Sequence, residues 1–60
     1  MVERYVGKNW TVGYSREERM VRILNGGTIF FYKVYARVCD AVTVYASLKT
    51  VADIKELLYV

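Results

Sequence analysis

The sequence contains no histidine and a single cysteine, Cys39, among its 60 residues. Without histidine the chain lacks the commonest zinc ligand and the commonest general base of enzymes. One cysteine cannot form a disulfide within the chain, and we predict that Cys39 lies in a turn with no catalytic partner nearby. We therefore expect that the protein is not an enzyme and has neither a metal site nor a cofactor.

Long apolar stretches are also missing. Arg or Lys interrupts every apolar run before it reaches the roughly 20 residues of a membrane span, and residues 1–10 lack the apolar core of a signal peptide. A free thiol without an export signal fits a reducing compartment. These absences predict a cytoplasmic protein that does not contact a membrane.

The chain is short and apolar. A domain of this length buries only about 60% of the surface that its unfolded chain exposes, so its core alone is marginal. Hydrophobic residues nevertheless make up 55% of the sequence and aromatic residues 15%, which is more apolar side chain than a small monomer easily covers. With disulfides and metals excluded, a partner subunit is the remaining source of stability. We predict one domain, residues 1–60, that forms a homodimer.

Positive charge is concentrated in the first part of this basic protein. The net charge is +3, and residues 1–38 hold seven Lys or Arg against three Glu, whereas residues 39–60 hold two against three acidic residues. A basic surface on one part of a domain is what phosphate binding requires. This distribution favours a nucleic-acid partner.

The first half of the chain predicts a strand followed by a helix. Residues 5–14 end in alternating large side chains and contain a bend at Gly7 and Asn9, which indicates a strand or a short hairpin. Ser15 and Glu18 have the spacing of a capping box, so a helix should begin there. Its apolar residues share one arc, and the glycines at residues 26–27 should end it.

The second half predicts a β-hairpin and a final helix. Residues 28–38 and 42–48 are rich in β-branched and aromatic side chains with a period of two, which is typical of strands. A three-residue loop between them makes one face wholly apolar and sets Tyr35 opposite Tyr45 on the other, whereas a two-residue loop would mix the faces. From Thr50 onward an N-cap and an apolar stripe indicate an amphipathic helix; the stripe contains Val51, Ile54, Leu57 and Leu58.

These elements predict an α+β fold. It consists of a small antiparallel β-sheet, a short internal helix and a C-terminal amphipathic helix. A second arrangement stays open, in which residues 5–14 and the two later strands form a meander with the terminal helix across it. That arrangement would favour DNA binding through the sheet.

Two groups of side chains are candidates for ligand contact. Arg16, Arg19 and Arg22 recur every three residues along the predicted internal helix, where they would contact phosphates or form a solvated face. The predicted Tyr35–Tyr45 pair, beside Lys33 and Arg37, would be either a stacking platform for single-stranded nucleic acid or a covered sheet face.

One segment also resembles a known family. The run Val6-Gly-Lys-Asn-Trp-Thr-Val-Gly-Tyr-Ser-Arg-Glu-Glu-Arg19, followed by Asn25-Gly-Gly-Thr28 and Ile29-Phe-Phe, resembles the AbrB/MazE-like swapped-hairpin family of small DNA-binding proteins. Five residues fall on the family's pattern: Lys8, Glu17, Arg19, Gly27 and Thr28. Ser15 stands where the family usually has proline, and Trp10-Thr11 replaces its Gly-Arg.

The resemblance implies an intertwined homodimer whose DNA contacts come from Lys8, Arg16, Arg19 and Arg22. The expected function is that of a small dimeric DNA-binding protein, a transcriptional regulator or chromatin-like protein, which binds double-stranded DNA through its phosphates and needs no cofactor. The alternative is a small protein-binding module or inhibitor that uses a Tyr-rich sheet face, because Tyr and Arg are enriched where protein interfaces bind most strongly.

Overall fold

A computed structural model describes residues 1–59, which form four strands followed by two helices. The strands are β1 (Val2–Val6), β2 (Trp10–Ser15), β3 (Met20–Asn25) and β4 (Thr28–Val34), and the helices are α1 (Val38–Ser47) and α2 (Val51–Tyr59). The sheet is an antiparallel meander in the order β1-β2-β3-β4. The α+β prediction is confirmed, and the arrangement is closer to the predicted meander than to the preferred fold with an internal helix.

Both helices pack on one face of the sheet. Val6, Val12, Val21 and Ile23 point from the strands into the core, where they meet three buried residues of the helical half: Ala41, Leu48 and Ile54. Because side chains alternate along a strand, one face of the sheet supplies the core and the next residue along each strand lies on the other face. The core closes within a single chain.

The tight turn between β3 and β4 requires its two glycines. Gly26 and Gly27 have φ angles of 58° and 86°, and a Cβ at either position would point into open space. Backbone conformation, not crowding, therefore selects glycine there, because other residues pay a steric penalty at positive φ. The predicted chain reversal at these residues is correct, although it follows a strand and not a helix.

The predicted internal helix starting at Ser15 is wrong, because residues 16–19 form a turn and residues 20–25 form β3. The predicted cap hydrogen bond does form, from Glu18 N to Ser15 Oγ at 3.3 Å, but it closes the turn. Arg19 then adopts a φ of 54°, in the left-handed region that ends a right-handed helix. Val21 and Ile23 are fully buried, and such alternating β-branched residues suit a strand.

The predicted strand at residues 42–48 is also wrong, and its predicted partner strand ends earlier, at Val34. Residues 38–47 form α1, because Val38, Ala41, Tyr45 and Leu48 recur at intervals of three and four residues. All four are buried or half-buried. Burial of this stripe outweighs the strand preference of the valines and threonine in the segment.

The terminal helix is confirmed as α2. Asp53 N donates to Thr50 Oγ1 at 3.2 Å, and Thr50 N donates to Asp53 Oδ2 at 3.1 Å, which is the reciprocal pair of a capping box. Hydrogen bonding of the Asp53 carboxylate, first with the Thr50 hydroxyl and next with the Thr50 backbone N–H, holds the pKa of Asp53 below its usual value. Ile54 is fully buried in the core, whereas Leu57 and Leu58 are half-buried.

Cys39 does not lie in a turn as predicted. It is an exposed residue in the first turn of α1, and its backbone carbonyl accepts a hydrogen bond from Thr43 Oγ1 at 2.8 Å. No helix within residues 1–59 is long and apolar enough to cross a membrane.

Candidate nucleic-acid interface

The face of the sheet opposite the helices has no element of residues 1–59 packed across it, and we call it the open face. The strand register places one row of residues from all four strands across its middle: Glu3, Gly13, Arg22 and Tyr32. Rows on either side complete the open face with Tyr5, Thr11, Leu24 and Ile29, and with Ser15, Met20 and Val34.

Two tyrosines are the most exposed aromatic residues of the open face. Tyr5, on the edge strand β1, has 85% of its surface exposed, and Tyr32, on the opposite edge strand β4, has 66% exposed. Neighbouring strands lie about 4.8 Å apart, and the two tyrosines belong to adjacent rows, so their Cα atoms are separated by roughly 16 Å. Each ring is available to a flat ligand group from the solvent side.

Arg22 crosses the centre of the open face. Its Nη2 lies 3.3 Å from Glu3 Oε2, two strands away, and its side chain runs over Gly13 on the strand between them. A Cβ at Gly13 would lie 3.3 Å from both Arg22 Cγ and Met1 Sδ, tighter than ordinary contact. Glycine at this position lets the arginine lie flat on the sheet, and Glu3 balances its charge.

Lys8 borders a concave corner at one end of the open face. The corner encloses about 410 Å³, and its lining includes Glu3, Tyr5, Thr11 and Leu24 of the open face. Gly26 N donates to Asn9 O at 3.2 Å, which ties the β3–β4 turn to the β1–β2 turn. Lys8 makes no ion pair with any carboxylate of residues 1–59.

Arg16 and Arg19 lie at the other end of the sheet, in the four-residue turn between β2 and β3. Arg19 N donates to Arg16 O, and Arg19 O accepts a hydrogen bond from Tyr35 N at 2.7 Å, so the turn is fixed to the end of β4. Both side chains are exposed, and neither has an ion-pair partner within residues 1–59. Glu17 and Glu18 lie between them and cancel their charge.

The structure therefore separates the four predicted contact residues. They do not form a helical stripe: Lys8 is at one end of the sheet, Arg16 and Arg19 are at the other, and Arg22 is in the middle. The predicted stripe of three arginines is wrong because it depended on the internal helix. All four residues nevertheless belong to the open face or to the turns at its ends.

The predicted Tyr35–Tyr45 platform is also wrong. Tyr45 lies on α1 and stacks on Tyr14, with ring centroids 5.6 Å apart and an interplanar angle of 28°. Tyr35 is half-buried, which raises the pKa of its hydroxyl, and Lys33 Nζ lies 5.2 Å from its ring centroid. Arg37 pairs with Asp40 at 3.4 Å. These groups are engaged on the helical side of the protein.

Tyr5 and Tyr32 are not among the site residues that the sequence predicts. A signal was present for Tyr5, because Glu3 and Tyr5 alternate with Val6 and Arg4 in a segment that ends at the Gly7 bend. Placing both tyrosines on one face requires knowing that β3 lies between the first hairpin and β4. With residues 15–25 taken as a helix, the two tyrosines could not be placed on the same side of one sheet.

No known protein family, curated protein or solved structure matches this chain. The resemblance of residues 6–31 to the AbrB/MazE-like family therefore stays a prediction.

Proposed function

We propose that the protein binds single-stranded nucleic acid across its open face. The observation that carries the proposal is the exposure of Tyr5 and Tyr32 on opposite edge strands of a face that the helices leave uncovered. Exposed aromatic rings on a sheet stack on unpaired bases, and each such stack contributes about 1–3 kcal/mol. The two rings are far enough apart to hold two separate bases of one strand.

Positive groups lie between and beyond the two rings. Arg22 lies between them on β3, Lys8 borders the corner next to Tyr5, and Arg16 and Arg19 occupy the turn at the far end. These side chains supply the phosphate contacts of the proposal. Because acidic residues neighbour most of them, we expect stacking to supply more of the affinity than charge does.

The partner predicted from the sequence, double-stranded DNA, is less favoured by this geometry. Residues 16–22 form a turn and part of a strand, so they offer no arginine-bearing helix to a major groove. A sheet face with exposed rings suits unpaired bases, which a duplex keeps stacked inside. Transcription regulation stays a hypothesis that depends on DNA being the polymer bound.

The test is fluorescence anisotropy with labelled single strands of about 15 nucleotides. This length covers the usual site size of domains that bind single-stranded nucleic acid. Oligo-dT and oligo-U strands distinguish DNA from RNA, and a duplex of the same length serves as the competitor. We expect binding to the single strands, with affinity falling by roughly 1.4 to 2.1 log units for each log unit of salt, as two or three phosphate contacts predict.

Two substitutions identify the surface. Tyr5→Ala and Tyr32→Ala should each weaken binding about tenfold, the equivalent of about 1.4 kcal/mol. Tyr59→Ala is the matched control, because Tyr59 is 74% exposed but lies on α2, away from the open face. Binding no tighter than millimolar at low salt, or equal binding by Tyr5→Ala and Tyr59→Ala proteins, would refute the proposal.

A protein partner is the second candidate. Ile29 and Val34 are each more than half exposed on the same face, and an apolar surface with a central neutralised ion pair is typical of protein interfaces. Binding through such a surface should depend only weakly on salt. A purified partner whose binding is lost with Tyr5→Ala but not with added salt would favour this candidate.

We also propose that the protein acts as a homodimer. Nine large hydrophobic side chains within residues 1–59 are exposed, and the single cysteine cannot form a disulfide within the chain to stabilise the small core. Association with a second copy would cover part of this surface.

A further inference from the structure

The second edge of the sheet is unusually open. Strand β4 pairs with β3 on one side, and no other strand of residues 1–59 lies on its outer side. Six of its seven residues are exposed, and an open groove of about 580 Å³ runs along residues 29–32. The strand contains one charged residue, Lys33, and neither proline nor an internal glycine. An edge of this kind offers unpaired backbone donors and acceptors to another strand.

The other edge strand is protected. Strand β1 carries Glu3 and Arg4 in sequence, and both charges are engaged: Glu3 with Arg22, and Arg4 with backbone carbonyls at the end of α1. Charges on an edge strand discourage pairing with a second chain. Of the two edges, only β4 has the composition of a pairing strand.

We propose that two copies of the chain pair antiparallel through β4, which joins their sheets into one of eight strands. The occupant of the edge is a second copy because an antiparallel pair of identical strands is related by a two-fold axis, so each copy supplies the donors that the other accepts. No exchange of elements is needed, since each core closes within its own chain. The pairing rests on the proposed homodimer and specifies how it forms, and it does not depend on the nucleic-acid proposal.

Charge and local geometry select the register. The sheet has a bulge where Ile23 pairs with Phe31 but Leu24 pairs with Ile29, so Phe30 is the extra residue and residues 31–34 form the regular part of β4. A two-fold axis at Lys33 would set like charges against each other, which is unfavourable. An axis at Tyr32 instead sets the two Tyr32 rings side by side and places Phe31 opposite Lys33 of the second copy.

This register would double the open face. In an antiparallel pair around a two-fold axis perpendicular to the sheet, the helices of both copies lie on one side and both open faces lie on the other. The exposed tyrosines would then follow one another in the order Tyr5, Tyr32, Tyr32, Tyr5 from one edge of the joined sheet to the other.

The first test is the mass in solution, measured by sedimentation equilibrium without nucleic acid. We expect twice the 7.0 kDa mass of the chain at micromolar concentration. Tyr32→Glu places two carboxylates together at the axis and should give the monomer mass, with the far-ultraviolet circular dichroism of the parent. Tyr5→Glu, on the opposite edge of the same face, is the matched control and should stay dimeric.

A monomeric parent would overturn the homodimer and the β4 pairing together, whereas a Tyr32→Glu protein that stays dimeric would overturn the pairing alone. Loss of the dimer with both variants would also overturn it, because that result means contact between open faces and not between edges. The nucleic-acid proposal is judged separately, since a monomer that binds oligo-dT through Tyr5 keeps that proposal while removing this one.

Disulfide cross-linking is a second measurement, and it tests the register of the two β4 strands. In a Cys39→Ser background, Tyr32→Cys should form a disulfide-linked dimer under mild oxidation, because opposed residues at the axis lie within bonding range. Val34→Cys should not, because the two Val34 positions would be roughly 13 Å apart along the strands. Cross-linking of Val34→Cys in place of Tyr32→Cys would overturn the proposed register.

Discussion

The guanidinium of Arg4 lies over the ring of Tyr45, 4.4 Å from its centroid, and Arg4 Nη2 donates hydrogen bonds to the backbone carbonyl oxygens of Tyr45 and Leu48. The last carbonyls of a helix have no partner within the helix, and positive charge is favourable at that end. Arg4 of β1 thus caps the C-terminal end of α1 from 41 and 44 residues away in sequence.

Arg4→Met should destabilise the fold by about 2 kcal/mol, because it removes hydrogen bonds from a charged donor and leaves carbonyls of α1 without that donor. Urea unfolding followed by circular dichroism measures the change. Arg16→Met is the control, since Arg16 is exposed in a turn and a surface change of this kind alters stability by about 0.5 kcal/mol or less. Equal stability of the two variants would mean that the cap contributes nothing.

Acid should weaken the start of α2 through Asp53. Hydrogen bonds from Thr50 lower the pKa of Asp53 in the folded protein, so the folded state favours the ionised carboxylate. The resulting stability is fully present above the usual pKa of an aspartate and is lost as the pH falls through the lowered value. Thermal unfolding from neutral to acidic pH measures it.

Asp53→Asn isolates the contribution of this carboxylate. The variant should be less stable than the parent at neutral pH, and the difference should shrink as the pH falls below the lowered pKa. A difference that stays constant with pH would show that ionisation of Asp53 does not matter.

Removing the negative charge of Glu3 should strengthen nucleic-acid binding. Glu3 neutralises Arg22 at the centre of the open face, so Glu3→Gln frees the guanidinium for phosphate or base contact. Two unit charges about 4 Å apart in water interact by about 1 kcal/mol, which corresponds to a gain of about fivefold in affinity for oligo-dT. Glu56→Gln makes the same change in net charge on α2 and should have a much smaller effect. A gain of equal size in both variants would assign the effect to net charge alone.

The sequence alone determined the elements that depend on local hydrogen bonds and backbone freedom. Thr50 and Asp53 are three residues apart and form their reciprocal cap without help from the rest of the chain, so α2 was predictable. The glycines at residues 26–27 likewise mark a reversal that the fold retains. The hydrogen bond between Ser15 and Glu18 was also predictable, but the same bond is compatible with a helix start and with a turn.

Only the tertiary structure decided whether the segments between those local signals form strands or helices. The apolar residues of β3 fit both a helical arc and an alternating strand, and pairing with β2 and β4 on both sides selects the strand. The valines of α1 favour a strand, but burial of Ala41 and Leu48 and the distant cap by Arg4 select the helix. The open face depends on both outcomes: β3 joins the first hairpin to β4, and α1 covers the opposite side of the sheet. Long-range burial and pairing, which leave no local mark in the sequence, therefore placed Tyr5, Arg22 and Tyr32 together on one surface.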